Sequence, residues 1–238
     1  MELPTKPEKA KQENPKFLIL FGKPKSGKTE LISRLENNLI IDLEDGSDYV
    51  DGLKIKVHTV EELLEAKKAI QEAGNPYDYI TLDTGTALEE MCLPLAKKLY
   101  MSTPMGKNFK DDDVRKLANG AGYLYIREAF MKILNAFRAT TKHLILIAHT
   151  KDRTINRDGK ELSEQLVDLS GKLGSIVSSK ADAIGFVYRK KNETRVNFNG
   201  GEDFVVEARP QHIRGKDLLL MESDKDGNLT TYWEKIFK

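Results

Sequence analysis

Eight consecutive residues carry the most specific chemistry in this chain: Gly22-Lys23-Pro24-Lys25-Ser26-Gly27-Lys28-Thr29. The spacing G-x-x-x-x-G-K-[ST] lets glycine backbone approach phosphate groups closely and aims a nest of N–H donors at them from the start of a helix. In that pattern Lys28 reaches β- and γ-phosphate oxygens and the Thr29 hydroxyl is placed to ligate Mg²⁺. ATP and Mg²⁺ are therefore the expected ligands, with Gly22 through Glu30 lining the phosphates. The apolar run Phe17 to Phe21 ahead of the loop, and the helical stretch behind it, provide the strand–loop–helix setting the motif requires.

Three further strand-like runs end on groups that complement such a loop. Asp83 closes Tyr79-Ile-Thr-Leu82, where a carboxylate holds Mg²⁺ through its water shell. Glu44 closes Leu39 to Leu43, where it would orient and deprotonate the water that attacks the γ-phosphate; Asp42 and Asp45 stand beside it as rival carboxylates. His149 follows Leu144 to Ala148, where an imidazole would register the γ-phosphate and pass its presence into the segment beginning at Thr150.

The elements that must position these groups read as alternating strands and helices. A helix is expected from Lys28 to about Asn37. A second runs from the capping box Thr59-Val-Glu-Glu62 to Gly74, a third reaches about Tyr100, and a fourth ends near Thr140. Continuous apolar strands between helices predict an α/β fold with a mostly parallel central sheet covered on both faces. Met101 to Gly122 is a polar, glycine-containing segment, and Thr150 to Lys172 is polar, charged and too long for a routine connection, as functional or disordered loops are. Ala183 to Tyr188, Thr194 to Phe198 and Phe204 to Ala208 alternate like antiparallel strands. Leu229 to Phe237, preceded by the turn Asp226-Gly227-Asn228, reads as an edge hairpin. The expected organisation is a flexible tail over residues 1–16 and a single domain over 17–238, with the late hairpins from about 183 extending the sheet.

Composition narrows the class. No apolar run approaches the roughly 20 residues of a membrane span, and the single cysteine, Cys92, cannot close an internal disulfide; both favour a cytoplasmic protein with no membrane partner. Cys92 lies in an apolar helical stretch and reads as a buried structural thiol. A net charge of only +1 means that any affinity for nucleic acid must come from local basic clusters. Those clusters are Lys107, Lys110, Arg115 and Lys116, then Lys151, Arg153, Arg157 and Lys160, then Arg189, Lys190 and Lys191.

Taken in order, Phe-Gly-Lys-Pro-Lys-Ser-Gly-Lys-Thr29, Ile-Ile-Asp-Leu-Glu44, Ile-Thr-Leu-Asp83-Thr and Leu-Ile-Leu-Ile-Ala-His149 resemble the RecA-like P-loop ATPase core across about Phe17 to Tyr188. The chain is most similar to the short phage RecA-core single-strand annealing and recombination proteins, the AAA-type phage nucleotide-binding proteins. The resemblance implies a Mg-dependent, DNA-stimulated ATPase with Glu44 as catalytic base and His149 as switch. It also implies self-association into a ring or filament, and a replication or annealing protein as a further partner. It makes Met101 to Gly122 and Thr150 to Lys172 the loops that meet single-stranded DNA. Lys107, Lys110, Arg115, Lys151, Arg153 and Arg157 would then contact phosphates, with Phe109 or Tyr123 available to stack on bases. A basic side chain supplied in trans would complete the site, and Arg209, Arg214 and Lys216 are the candidates. Against full-length recombinases, the reading expects neither a separate carboxy-terminal DNA-gathering domain nor a substantial amino-terminal oligomerisation domain. Two other functions share the phosphate loop: a small-molecule or nucleoside kinase, and an ATP-switched adaptor of a helicase or annealing protein.

Overall fold

The computed structural model describes every residue except Met1, Glu2, Pro4, Asp158, Glu202 and Asp203, and the backbone but not the side chains of Ile155, Arg157, Lys160 and Leu162. Its first half runs β1 (Phe17–Gly22), α1 (Lys28–Ser33), β2 (Asn38–Asp42), β3 (Leu53–Lys56), α2 (Val60–Glu72), β4 (Tyr79–Asp83), α3 (Gly85–Met91) and α4 (Leu93–Met101). The second half runs α5 (Gly122–Thr140), β5 (His143–Arg157), β6 (Lys160–Val167), α6 (Leu173–Lys180), β7 (Ala183–Lys190), β8 (Glu193–Asn197), β9 (Glu207–Ala208), β10 (Asp217–Ser223) and β11 (Leu229–Thr231).

Strand order in the sheet is β11-β10-β8-β7-β1-β5-β4-β2-β3, with β6 on the outer part of β5 and β9 on β7. The strands from β7 to β3 are parallel, and β8, β10 and β11 add antiparallel strands to one side. The α/β architecture read from the sequence is therefore the observed one. In β1 the run is buried on both faces: Phe17, Ile19 and Phe21 pack with α3, α4 and α5, while Leu18 and Leu20 pack with α1 and the carboxy-terminal Trp233, Ile236 and Phe237. Trp233 belongs to this core, and its indole N–H donates to the Leu31 carbonyl of α1 at 3.2 Å.

Several elements differ from the sequence reading for identifiable reasons. The polar stretch after His149 is an antiparallel hairpin, not a loop: β5 runs unbroken through it, and Thr150↔Val167 to Arg157↔Lys160 pair as β5 and β6. Helix α1 stops at Ser33 because Asn37 adopts a left-handed φ of 55° and the Asn38 amide donates to the Ile32 carbonyl at 2.8 Å. The third expected helix breaks at Cys92, where Pro94 opens a new one. Strand β3, with two lysines in four residues, was not apparent, nor was α6. The late strand at Phe204 to Ala208 shrinks to β9, and Leu229 to Phe237 divides into β11 and a 3-10 turn at Trp233–Lys235. Cys92 is fully buried, and burial pushes its thiol up to about 12, so it stays a neutral packing group.

At the amino-terminal edge of the sheet, His143 stacks on Tyr79 (5.3 Å), meets Phe237 edge-on (5.1 Å) and donates from Nδ1 to the Pro15 carbonyl at 2.8 Å. Burial, aided by Lys142 and Lys16, lowers its pKa from the ordinary 6.5. The folded state thus keeps this ring neutral, whereas the unfolded chain takes up a proton below about pH 6.5. The stability it contributes is present above that pH and lost as pH falls further. Urea midpoints measured from pH 7.5 to 5 should therefore drop more steeply for the natural chain than for His143→Phe; parallel curves would refute the assignment.

Candidate functional site

The carboxyl ends of β1, β2, β4 and β5 share one edge of the sheet, because parallel register sets Gly22 beside His149, Ile147 beside Asp83, and Asp83 beside Asp42. Glycine is needed at two points of the phosphate loop. A Cβ on Gly22 would lie 2.3 Å from the Val187 carbonyl oxygen, and Gly27 holds φ +89° at the cap of α1.

Lys28 is buried, and its ammonium donates to the carbonyls of Gly22 (3.0 Å) and Lys23 (2.9 Å). Burial lowers its pKa, and the carboxylates of Asp83 and Glu44 oppose that shift. A desolvated cation beside a nest of backbone donors, with the buried Ser26 hydroxyl lacking a protein partner, fits triphosphate oxygens. Lys23, Pro24 and Lys25 lie exposed on the loop, and Glu30 meets Arg189 at 3.2 Å. Arg189 also lies across Gly27, so a basic residue read only as part of a surface cluster is packed against the phosphate loop.

The Thr29 hydroxyl donates to Asp83 Oδ2 at 2.9 Å. The pKa of Asp83 is pushed up to about 6, chiefly by burial and further by Glu44 and Asp42. Among the described residues no group of three or more His, Cys, Asp or Glu side chains gathers as a metal cage. One hydroxyl and one carboxylate are nevertheless hard oxygen donors of the kind that suits Mg²⁺, and Thr29 and Asp83 would hold it.

The rival carboxylates separate cleanly. Asp42 turns into its own loop, accepting from the N–H groups of Glu44 (3.0 Å), Gly46 (3.2 Å) and Ser47 (2.9 Å). Burial raises its pKa, but those donors outweigh it and leave the carboxyl below its usual value. Asp45 faces Lys56 and His58. Glu44 is the one turned to the site, with Oε2 3.4 Å from His149 Nε2 and Oε1 accepting from the Thr84 hydroxyl. Thr84 was missed in the sequence, where a threonine after a strand signals only a helix cap. Beyond His149 the hairpin base is fastened to α3: Thr86 donates to the Asp168 carbonyl, and Glu89 accepts from the Ser170 N–H at 2.9 Å.

The remaining predicted site residues are dispersed. Arg115 is engaged by Asp113 and Glu90, both at 2.7 Å, and Arg153 by its cross-strand neighbour Glu164. Lys151 folds back to the Leu169 carbonyl and Asp168. Lys107 and Lys110 are exposed, with no ionic partner among the described residues, whereas the side chain of Arg157 lies outside the described set. Phe109 packs edge-on against Tyr100 at 5.1 Å and is partly buried against the core; Tyr123 is 42% exposed. Arg209 pairs with Asp182 at 3.2 Å, and Arg214 donates to the carbonyls of Ala208 and Arg209. Asp182 also accepts from the N–H of Phe17, the first residue of β1, so both arginines sit at the edge opposite this chain's own phosphate loop.

No curated protein matches this sequence. Among solved structures, a KaiC-like protein from the hyperthermophilic archaeon Pyrococcus horikoshii is 12% identical, with 91% of this chain and 89% of that one covered and a TM-score of 0.48. The RadB recombinase is likewise 12% identical, with 92% of each chain covered and a TM-score of 0.47. A family match extends over residues 14–217 under the description AAA domain. Because that match covers most of the chain, including the phosphate loop and the strand ends at Glu44, Asp83 and His149, the chain belongs to the AAA domain family.

Proposed function

We propose that this protein hydrolyses ATP in a Mg²⁺-dependent reaction and engages single-stranded DNA in recombination, repair or replication, as single-strand annealing proteins do. The observation that carries the proposal is the pairing of two dyads on one sheet edge: Thr29 with Asp83, and Glu44 with His149, beside a buried Lys28. Thr29 and Asp83 would hold the metal ion, which would supply neutralisation of phosphate charge. Lys28 exchanges its loop carbonyls for phosphate oxygens, and Glu44 takes the proton of the attacking water. His149 couples that carboxylate to β5, which continues into the hairpin. Arg209 and Arg214 would act on a neighbour's nucleotide in a ring or filament. The assembly would work in the cytoplasm, that of the host if phage-encoded; among the described residues no helix is long and apolar enough to cross a membrane.

For DNA, the support is a hairpin exposed from Asp152 to Ser163, as far as its side chains are described, and the free Lys107 and Lys110. Internal pairing of Arg115, Lys151 and Arg153 favours a second reading, an ATP-switched adaptor whose hairpin meets a replication or annealing protein. A kinase needs an acceptor pocket beside the γ-phosphate. The clefts of about 1040 and 760 Å³ are lined by Asp182, Arg209 and His212 and by Asn37, Asp78 and Tyr79, at the opposite edge.

Hydrolysis measured with and without single-stranded DNA at low and moderate salt separates these readings. Several-fold stimulation that weakens with salt is the expected result. Nucleotide binding with no DNA effect on rate or retention would move the assignment to the adaptor.

A further inference from the structure

We infer that Thr84 is the positioning residue for Glu44, a role that rests on the proposed hydrolysis with Glu44 as base. Thr84 is 2% exposed and caps α3, its oxygen accepting the Ala87 N–H at 3.3 Å. A hydroxyl carries one proton. With the oxygen turned to the cap as acceptor, that proton is directed to Glu44 Oε1. The other carboxylate oxygen lies 3.4 Å from His149 Nε2. Glu44 follows the last residue of β2 by two positions, in a turn organised by Asp42 through backbone donors alone. Nothing in that turn fixes the glutamate's own torsions, so the rotamer is set from outside, by Thr84 and His149.

The two supports are not equivalent. His149 is partly exposed and sits at the longer distance, whereas Thr84 is enclosed and rigidly placed by a β-branched side chain at the head of a helix. The same residue directly follows Asp83, so one strand end holds both the metal-side carboxylate and the base-side hydroxyl. This fixes the separation between the two carboxylates that the reaction must use together. It also explains why a threonine, rather than a better helix cap such as aspartate, suits position 84: a second carboxylate facing Glu44 would repel it.

The test is a double-mutant cycle. Thr84→Val keeps the shape and removes the proton donor; Thr84→Ser keeps the donor. Hydrolysis rates and KM for ATP are measured for both in the natural background, and for Thr84→Val combined with Glu44→Gln. The expected result is a fall in kcat of roughly 10- to 100-fold for Thr84→Val, with KM within about twofold and Thr84→Ser within about threefold of the natural protein. In the Glu44→Gln background Thr84→Val should add no further loss, because positioning acts only through the base that has been removed, whereas loss of the cap alone would cost the same factor in both backgrounds. An equal factor in both backgrounds, or an unchanged kcat, overturns the inference. Should the natural protein bind ATP without hydrolysing it, the proposed function fails and the positioning role is decided by a crystal structure of Thr84→Val. A Glu44 side chain left facing position 84 would then refute it.

Discussion

The Lys28→Ala variant is expected to lose both affinity for ATP and turnover, the latter by on the order of 10²–10³-fold or more. Among the described residues Lys28 is the one lysine or arginine that is buried, and its ammonium already spans two loop carbonyls. Removal deprives the γ-phosphate of its cation and takes one donor from each of the carbonyls of Gly22 and Lys23, so the loop loses an internal brace as well. Fluorescent-nucleotide titration and a hydrolysis assay check the two effects separately. A variant turning over within tenfold of the natural protein would remove Lys28 from the phosphate site.

Glu44→Gln should behave differently, with hydrolysis down roughly 10²–10⁴-fold and ATP affinity little changed. Glutamine retains an acceptor for the Thr84 hydroxyl and much the same volume, so the dyad with His149 is altered in basicity rather than in shape. A parallel loss of binding would assign Glu44 to holding the fold. An unaffected rate would exclude it as the base and, because Asp42 is already saturated by three backbone donors, would require another group to activate the water.

How far the sequence disclosed this arrangement depends on burial. Phe17 to Phe21, Leu39 to Leu43, Tyr79 to Leu82 and Leu144 to Ala148 are core strands, and their apolar runs stop where the sheet edge meets solvent, so Lys28, Glu44, Asp83 and His149 could be read as strand-end chemistry. The β5–β6 hairpin gave no such sign, since alternation is legible only when one face is buried, and the described side chains from Asp152 to Ser163 are all exposed. Thr84 escaped notice and Arg189 was read only as part of a basic cluster because their significance is non-local: one meets Glu44 across forty residues, the other packs on Gly27 from β7. Arg209 and Arg214 carried charge without position, and only the pairing of Arg209 with Asp182 beneath β1, with Arg214 held on the Ala208 and Arg209 carbonyls, shows which edge they occupy.

Beyond His149, β5 runs eight more residues without interruption, a rod of roughly 25 Å at strand rise. Such a rod is an obstacle as well as an arm. Any neighbour stacked over the nucleotide edge must either leave a channel for it or be offset laterally, so the hairpin acts as a steric filter on packing geometry before any attractive contact is made.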